Sequence, residues 1–270
     1  MPRSVAVITG ASSGLGVVFA RKLAAKHDLL LIARRKERLE ELAAELRAQY
    51  GCAAEVLAAD LTDEKDLALV ADRIAAVNNL ALLVNNAGFG TRGLFWELDL
   101  EVQEQMHRLH ILATVRLSHA ALRNMVRKNF GAIINLASVA AFVRRTGSVS
   151  YGSTKAWMTA FTEGLYLELK SVGSAVKVQA LCPGFTYTEF HDAAKIDRKN
   201  VAGRWLWLQA DYVVDESLKA LRKGKLFVIP AWRYKAIVTW VTKLPTPLRL
   251  AFEAAGSGKA IARGVDPSGG

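Results

Sequence analysis

Much is missing from this chain that would take it out of the ordinary class of folded domains. It has two cysteines in 270 residues, Cys52 and Cys182. Two cannot make a disulfide framework, and no His or Cys cluster has metal-ligand spacing, so no metal is expected. No apolar run approaches the roughly 18 residues of a bilayer span. There is no repeat, no low-complexity linker and no composition break before about residue 230. No helix-turn-helix, zinc-finger or RNA-binding signature is present, so no nucleic-acid partner is expected. No leader precedes the strand-like run that follows Met1-Pro2-Arg3-Ser4, and a cytoplasmic location is the expectation.

Acids are scarce at one end. Residues 219–263 hold ten basic side chains and a single acid, Glu253, whereas residues 1–218 carry only +3 of the total +11. A near-neutral body with a basic tail suits either an anionic partner or a solvated basic face.

What is present is a soluble composition, 51% apolar and 23% charged, and a regular alternation. Short apolar runs at 5–9, 29–33, 54–58, 80–85, 132–137, 176–182 and 226–230 read as strands covered on both faces. Helix-period segments at 15–26, 36–50, 64–77, 101–128, 151–172 and 213–223 lie between them. Strand and helix in turn predict an α/β fold, a doubly wound, seven-stranded parallel sheet of Rossmann type with helices on both faces. Residues 1–230 form one domain on this reading, with a substrate lid at about 185–212, and 231–270 form a basic, amphipathic helical extension.

Thr9-Gly10-Ala11-Ser12-Ser13-Gly14-Leu15-Gly16 closes the first strand and opens the first helix. Glycines at 10, 14 and 16 permit a tight turn, close backbone approach and close helix contact. The helix N-terminus then meets a phosphate with free amides and a favourable dipole. The second strand ends Ile32-Ala33-Arg34-Arg35-Lys36, where a ribose 2′-hydroxyl is normally met by an acid. Arginine there fits a 2′-phosphate, so NADP(H) is expected over NAD(H), with Arg34 as the first candidate and Arg35 beside it.

Tyr151-Gly152-Ser153-Thr154-Lys155 opens another helix, and residues i and i+4 share a face. A free tyrosine titrates near pH 10. One cation about 4 Å away, at an effective dielectric near 20, contributes about 4 kcal/mol, enough to move the phenol roughly 3 units towards neutrality. Ser138 follows the fifth strand, on the side of the sheet where ligands collect.

Together these residues resemble the short-chain dehydrogenase/reductase family over about residues 4–230. The likeness rests on Thr9–Gly16, Asp60-Leu61, Asn85-Asn86-Ala87-Gly88, Ser138 thirteen residues before Tyr151, Lys155, and Pro183-Gly184 with Thr188. It implies hydride transfer between a nicotinamide and a carbonyl or alcohol carbon. Tyr151 is then the proton donor, Ser138 the stabiliser of the carbonyl oxygen, and Lys155 the ribose holder that depresses the Tyr151 pKa. Asp60 and Leu61 border the adenine, and Asn86, Ala87 and Gly88 line the cofactor cleft. Pro183, Gly184, Thr186 and Thr188 contact the nicotinamide end. Association into a homodimer or homotetramer through the helices at 101–128 and 151–172 is also implied. One departure stands out: His110 takes the place of an asparagine that supports a proton-relay water, and a neutral imidazole can substitute as donor and acceptor.

For the substrate, Phe89, Phe142, Phe185, Trp205 and Trp207 surround the expected cleft, which points to an apolar carbonyl compound. A 3-ketoacyl thioester or steroid-like substrate is the alternative within the enzyme class, and a catalytically silent NADP-binding sensor is the alternative outside it. Residues 232–244 have helix-period apolar positions at 234, 237, 238, 241 and 244. Pro245-Thr246-Pro247 is expected to break that helix before a further turn or two. The basic residues leave three roles open for the extension: a peripheral membrane contact, a lid, or packing on a subunit. Those near the two long helices also suit an acidic carrier protein.

Overall fold

The computed structural model describes residues 3–189 and 204–261. Among the described residues there are seven strands: β1 (Val5–Thr9), β2 (Asp28–Ala33), β3 (Ala54–Ala58), β4 (Leu80–Asn85), β5 (Ala132–Leu136), β6 (Lys177–Leu181) and β7 (Phe227–Val228). They form one sheet in the order β3-β2-β1-β4-β5-β6-β7, and every pairing is parallel. The order reverses between β1 and β4. At such a switch point the loops beyond the strand ends part and leave a crevice.

Apolar residues on both faces of each strand explain the doubly covered sheet. Ala6 and Ile8 pack on one side with α1 (Gly14–Ala24) and α2 (Lys36–Tyr50), whereas Val7 packs on the other with α3 (Glu64–Ala75). Local signals set the helix ends. Asp63 caps α3 by accepting from the amides of Lys65 and Asp66 at 2.9 and 3.0 Å. Gly51 takes the left-handed conformation (φ +59) that ends α2.

The long helix expected at 101–128 is divided. α4 (Leu100–His107) gives way to one π-helical turn, Arg108–Leu112, before α5 (Ala113–Lys128). The wider turn inserts His110 into the interior, and periodicity alone gives no sign of it. α6 (Val149–Ser171) carries Tyr151 and Lys155, and α7 (Ala210–Arg222) leads to β7.

The extension folds as α8 (Trp232–Lys243) and α9 (Thr246–Ile261). Tyr234, Val238 and Val241 are buried, as the apolar periodicity requires. The second helix is longer than expected. Pro247 stands in its first turn, where a missing amide costs nothing, so proline starts this helix rather than merely ending the previous one.

A buried polar ladder ties the ends of β4 and β5 to their helices. Asn85 donates to Asn135 Oδ1 at 2.8 Å and to Ser118 Oγ at 3.1 Å, and Asn135 donates to Thr162 Oγ1 at 2.9 Å. Every member finds a partner, so the ladder fixes the loops that follow the strands instead of weakening the core.

Candidate active site

The crevice at the switch point is a cavity of about 690 Å³. Its floor at one end is the glycine loop. Thr9 Oγ1 accepts from the amides of Asn86 and Ala87, both at 3.0 Å, and the Asn86 side chain donates to Thr9 O at 2.8 Å. The two loops therefore hold each other across the switch point. Gly10 has φ +65, and a Cβ there would lie 2.8 Å from Asn86 Nδ2. Gly16 does not line the cavity; a Cβ on it would fall 2.2 Å from Gly10 O, so it serves close contact between helix and loop.

Gly10, Ser12, Ser13, Gly14 and Leu15 all line the cavity. The N-cap residue of α1, Ser13, makes no side-chain cap, and the first turn has no acid. Free amides at a helix N-terminus suit an anion. Asn86, Ala87 and Gly88 form the opposite wall, and Asp60 and Leu61 a further side. Burial opposes ionisation of Asp60, but hydrogen bonds from Thr62 and the neighbouring Arg34 prevail and hold its carboxyl below the usual range.

The basic pair divides its work. Arg34 is largely exposed and stands 3.7 Å from Asp60. Arg35 folds back on the glycine loop, donating to Ser12 Oγ and Ser12 O, both at 3.2 Å. Glu189 bridges Arg35 at 3.2 Å and Arg38 at 2.9 Å. Arg38 and Glu189 were not among the residues picked out by the sequence, because their pairing spans about 150 positions.

At the other end, Tyr151, Lys155 and Ser138 come together on the cavity wall. The Tyr151 hydroxyl hydrogen-bonds the Ser138 side chain, and burial pushes its pKa up to about 12 against that bond. Lys155 Nζ donates to Leu136 O at 2.6 Å and lies 5.7 Å from the Tyr151 ring centroid. Burial brings the lysine down to about 7. The expected lowering of the tyrosine is thus not achieved by the protein groups alone. Burial outweighs the Ser138 bond at the phenol, and the charge of the lysine that would lower it is disfavoured by the same burial.

His110 is fully buried and does not line the cavity. Its Nε2 accepts from the Phe89 amide at 3.2 Å, and its Nδ1 lies 2.8 Å from Thr154 Oγ1. Both ring nitrogens are engaged away from Lys155, so the relay link expected at this position is not formed here. Burial, and then the charge of Lys155, hold the imidazole well below its ordinary pKa, hence neutral.

Pro183, Gly184, Phe185, Thr186 and Thr188 line the cavity, as does Phe89. Phe142, Trp205 and Trp207 do not. Phe142 packs edge-on against Phe227, Trp205 is exposed, and buried Trp207 stacks on Tyr187 at 4.9 Å. Aromatic content identified the region but not which rings reach the cleft. Residues 190–203 of the expected lid lie outside the described residues. Among the described residues, the extension also supplies wall residues: Tyr234, Ile237 and Val238. The Tyr234 hydroxyl donates to Leu206 O at 2.7 Å and accepts from the Phe185 amide at 2.9 Å.

A nucleotide-binding sheet with a Ser-Tyr-Lys group at its switch point defines a class of dehydrogenase. The short chain dehydrogenase family model matches residues 4–199. The chain belongs to the short-chain dehydrogenase/reductase family and is an oxidoreductase of that family. It is similar to a short-chain dehydrogenase from Sphingobium yanoikuyae, solved in complex with NADPH (36% identity, 93% of this chain and 94% of that one, TM-score 0.81). It is also similar to the bulky-bulky ketone specific alcohol dehydrogenase from Comamonas testosteroni (31% identity, 91% and 96%, TM-score 0.76). Among curated proteins it is 38% identical to sulfoacetaldehyde reductase 2 of Chromohalobacter salexigens, over 69% of this chain and 74% of that protein.

Proposed function

We propose that the protein reduces the carbonyl group of a largely apolar substrate with NADPH. The observation that carries this reading is one continuous cavity that joins the uncapped helix N-terminus and Arg34/Arg35 to Ser138, Tyr151 and Lys155. The residues fit a dinucleotide. The glycine loop and the free amides of α1 meet the diphosphate, Asp60 and Leu61 the adenine, and Arg35, already held against Ser12, the 2′-phosphate. Thr186 and Thr188 stand at the nicotinamide end. The nicotinamide, when bound, supplies hydride to the carbonyl carbon.

The chain's own groups handle the oxygen. Tyr151 holds its proton through the neutral range, since burial raises its pKa, and gives that proton to the carbonyl oxygen. Ser138 Oγ hydrogen-bonds the same oxygen and offsets the charge that develops there. Lys155 holds the nicotinamide ribose and, when charged, eases proton loss from Tyr151. His110 braces the Gly88–Phe89 wall. The apolar part of the substrate lies against Phe89, Phe185 and the α8 residues Ile237 and Val238. Similarity to a ketone-specific alcohol dehydrogenase supports a ketone or aldehyde over a sugar.

The face formed by α5 and α6 leaves Val115, Val126 and Leu167 exposed, which suits a homodimer or homotetramer. The test of the function is NADPH oxidation with medium-chain aldehydes, aryl ketones, 3-ketoacyl thioesters and steroid ketones. Wild type and Tyr151→Phe run in parallel, with NADH as the cofactor control. Turnover lost in the variant supports the assignment. Tight NADPH binding with no turnover on any compound moves the reading to a cofactor sensor.

A further inference from the structure

Arg145 stands on the loop between β5 and α6 and lines the substrate end of the cavity with Tyr151 and Tyr234. The loop is braced on three sides. The Val143 amide donates to Val139 O at 3.0 Å, the Arg144 amide to Glu253 Oε1 at 2.9 Å, and the Gly93 amide to Gly147 O at 3.2 Å. Glu253 comes from α9 and is buried. The extension therefore holds in place the loop that presents Arg145.

The Arg145 side chain is exposed, with its guanidinium carbon 5.4 Å from the centroid of the Phe185 ring. Among the described residues it makes no hydrogen bond and no salt bridge. The titratable groups that face it are the Tyr234 phenol and a second cation, Arg92. Other arginines of this protein are matched: Arg21 with Glu45, Arg73 with Glu55, and Arg35 and Arg38 with Glu189. One guanidinium at the end of a mostly apolar cleft, with no described carboxylate on it, leaves a planar pair of donors for a ligand.

We propose that Arg145 binds an anionic group of the substrate, so that the preferred compounds are apolar carbonyl compounds bearing a carboxylate. The proposal rests on the carbonyl-reductase reading and narrows its substrate class. The guanidinium forms a bidentate pair with the carboxylate, its lower face covered by Phe185, while the carbonyl reaches Tyr151 and Ser138. Arg92 adds long-range attraction without direct contact.

The experiment compares 4-formylbenzoate with its methyl ester, a matched pair that differs in the charge. Wild type, Arg145→Gln, Arg145→Lys and the neighbouring control Arg144→Gln are assayed with NADPH, and binding of both compounds is measured by calorimetry. In wild type the acid binds more tightly than the ester. Arg145→Gln raises the KM and Kd of the acid about tenfold to a hundredfold, leaves kcat within about threefold, and leaves the ester unchanged. Arg145→Lys restores part of the loss, and Arg144→Gln changes neither compound. Equal losses for acid and ester, or a wild type that binds the acid no better than the ester, overturn the proposal. A charge-dependent binding difference without turnover of either compound keeps the anion site, and the reductase reading falls only if the whole carbonyl panel is silent as well.

Discussion

His110 and Thr154 are joined by a hydrogen bond of 2.8 Å in the interior, between the π turn and α6. Because Nε2 accepts from the Phe89 amide, Nδ1 carries the proton and donates to Thr154 Oγ1, which passes its own hydrogen to Tyr151 O at 2.9 Å. The histidine is thereby fixed in one neutral tautomer. His110→Ala leaves the Phe89 amide unpaired and opens a cavity, and is expected to destabilise the protein by about 2–4 kcal/mol. Urea unfolding measures this. The pH profile of kcat in the surviving folded enzyme should be unchanged; a displaced profile would restore a relay role for the ring.

Arg35, rather than the more exposed Arg34, is expected to dominate discrimination between the two cofactors. Arg35→Ala removes a charged partner for the 2′-phosphate and should weaken NADPH binding about tenfold or more while leaving NADH within about threefold. Glu189→Gln should act in the opposite direction and tighten NADPH several-fold, because a carboxylate now occupies Arg35 and Arg38. Fluorescence titration of both cofactors checks the pair of variants. Equal changes for NADPH and NADH would mean that neither residue reads the phosphate.

Lys155 gives a stability signature. Its pKa is about 7 in the fold against 10.5 in the free side chain. Between those values the unfolded chain binds the proton that the folded protein has released, so stability rises with pH across about 7 to 10. Tyr151 acts the other way, but only above its ordinary value of 10. Lys155→Met should be more stable than wild type at pH 7, with the gap narrowing by pH 9.5. Urea midpoints at the two pH values measure it, and a gap independent of pH would contradict the cause.

Tyr234 links the extension to the segments at Phe185 and Leu206 through its hydroxyl. Tyr234→Phe leaves the Phe185 amide without its partner, at a cost of about 1–3 kcal/mol. The expected kinetic result is a raised substrate KM with little change in the Kd of NADPH. Gly184→Ala is harsher, since its Cβ would fall 1.9 Å from the Tyr234 ring. An unaltered melting temperature in Gly184→Ala would show that α8 is not seated against this loop.

One stripe of α8 faces solvent: Trp232, Lys235, Thr239, Trp240 and Lys243. No described helix is long and apolar enough to cross a membrane. Tryptophan and lysine on one exposed face suit the surface of an anionic bilayer. Co-sedimentation with phosphatidylserine vesicles at low salt, lost in Trp232→Ser/Trp240→Ser, is the expected outcome if that face meets lipid. Absence of wild-type co-sedimentation removes the membrane role.

The sheet, the glycine turn and the shared helix face of Tyr151 and Lys155 were legible in the sequence because each depends on local rules. Buried parallel strands must be short apolar runs, a phosphate turn must be glycine-rich, and a tyrosine and lysine four apart must share a helix face. Even the inward positions of α8 followed from its 3.6-residue period. Long-range proximity decided everything else. Nothing near Glu189 announces that it will bridge Arg35 and Arg38, and nothing near Trp207 shows that it turns away from the cleft while Tyr234 enters it. The pKa values of Tyr151 and Lys155 belong to the same category. Their spacing is a property of the helix, but the desolvation that drives them apart comes from strands and loops brought over them by the folded chain.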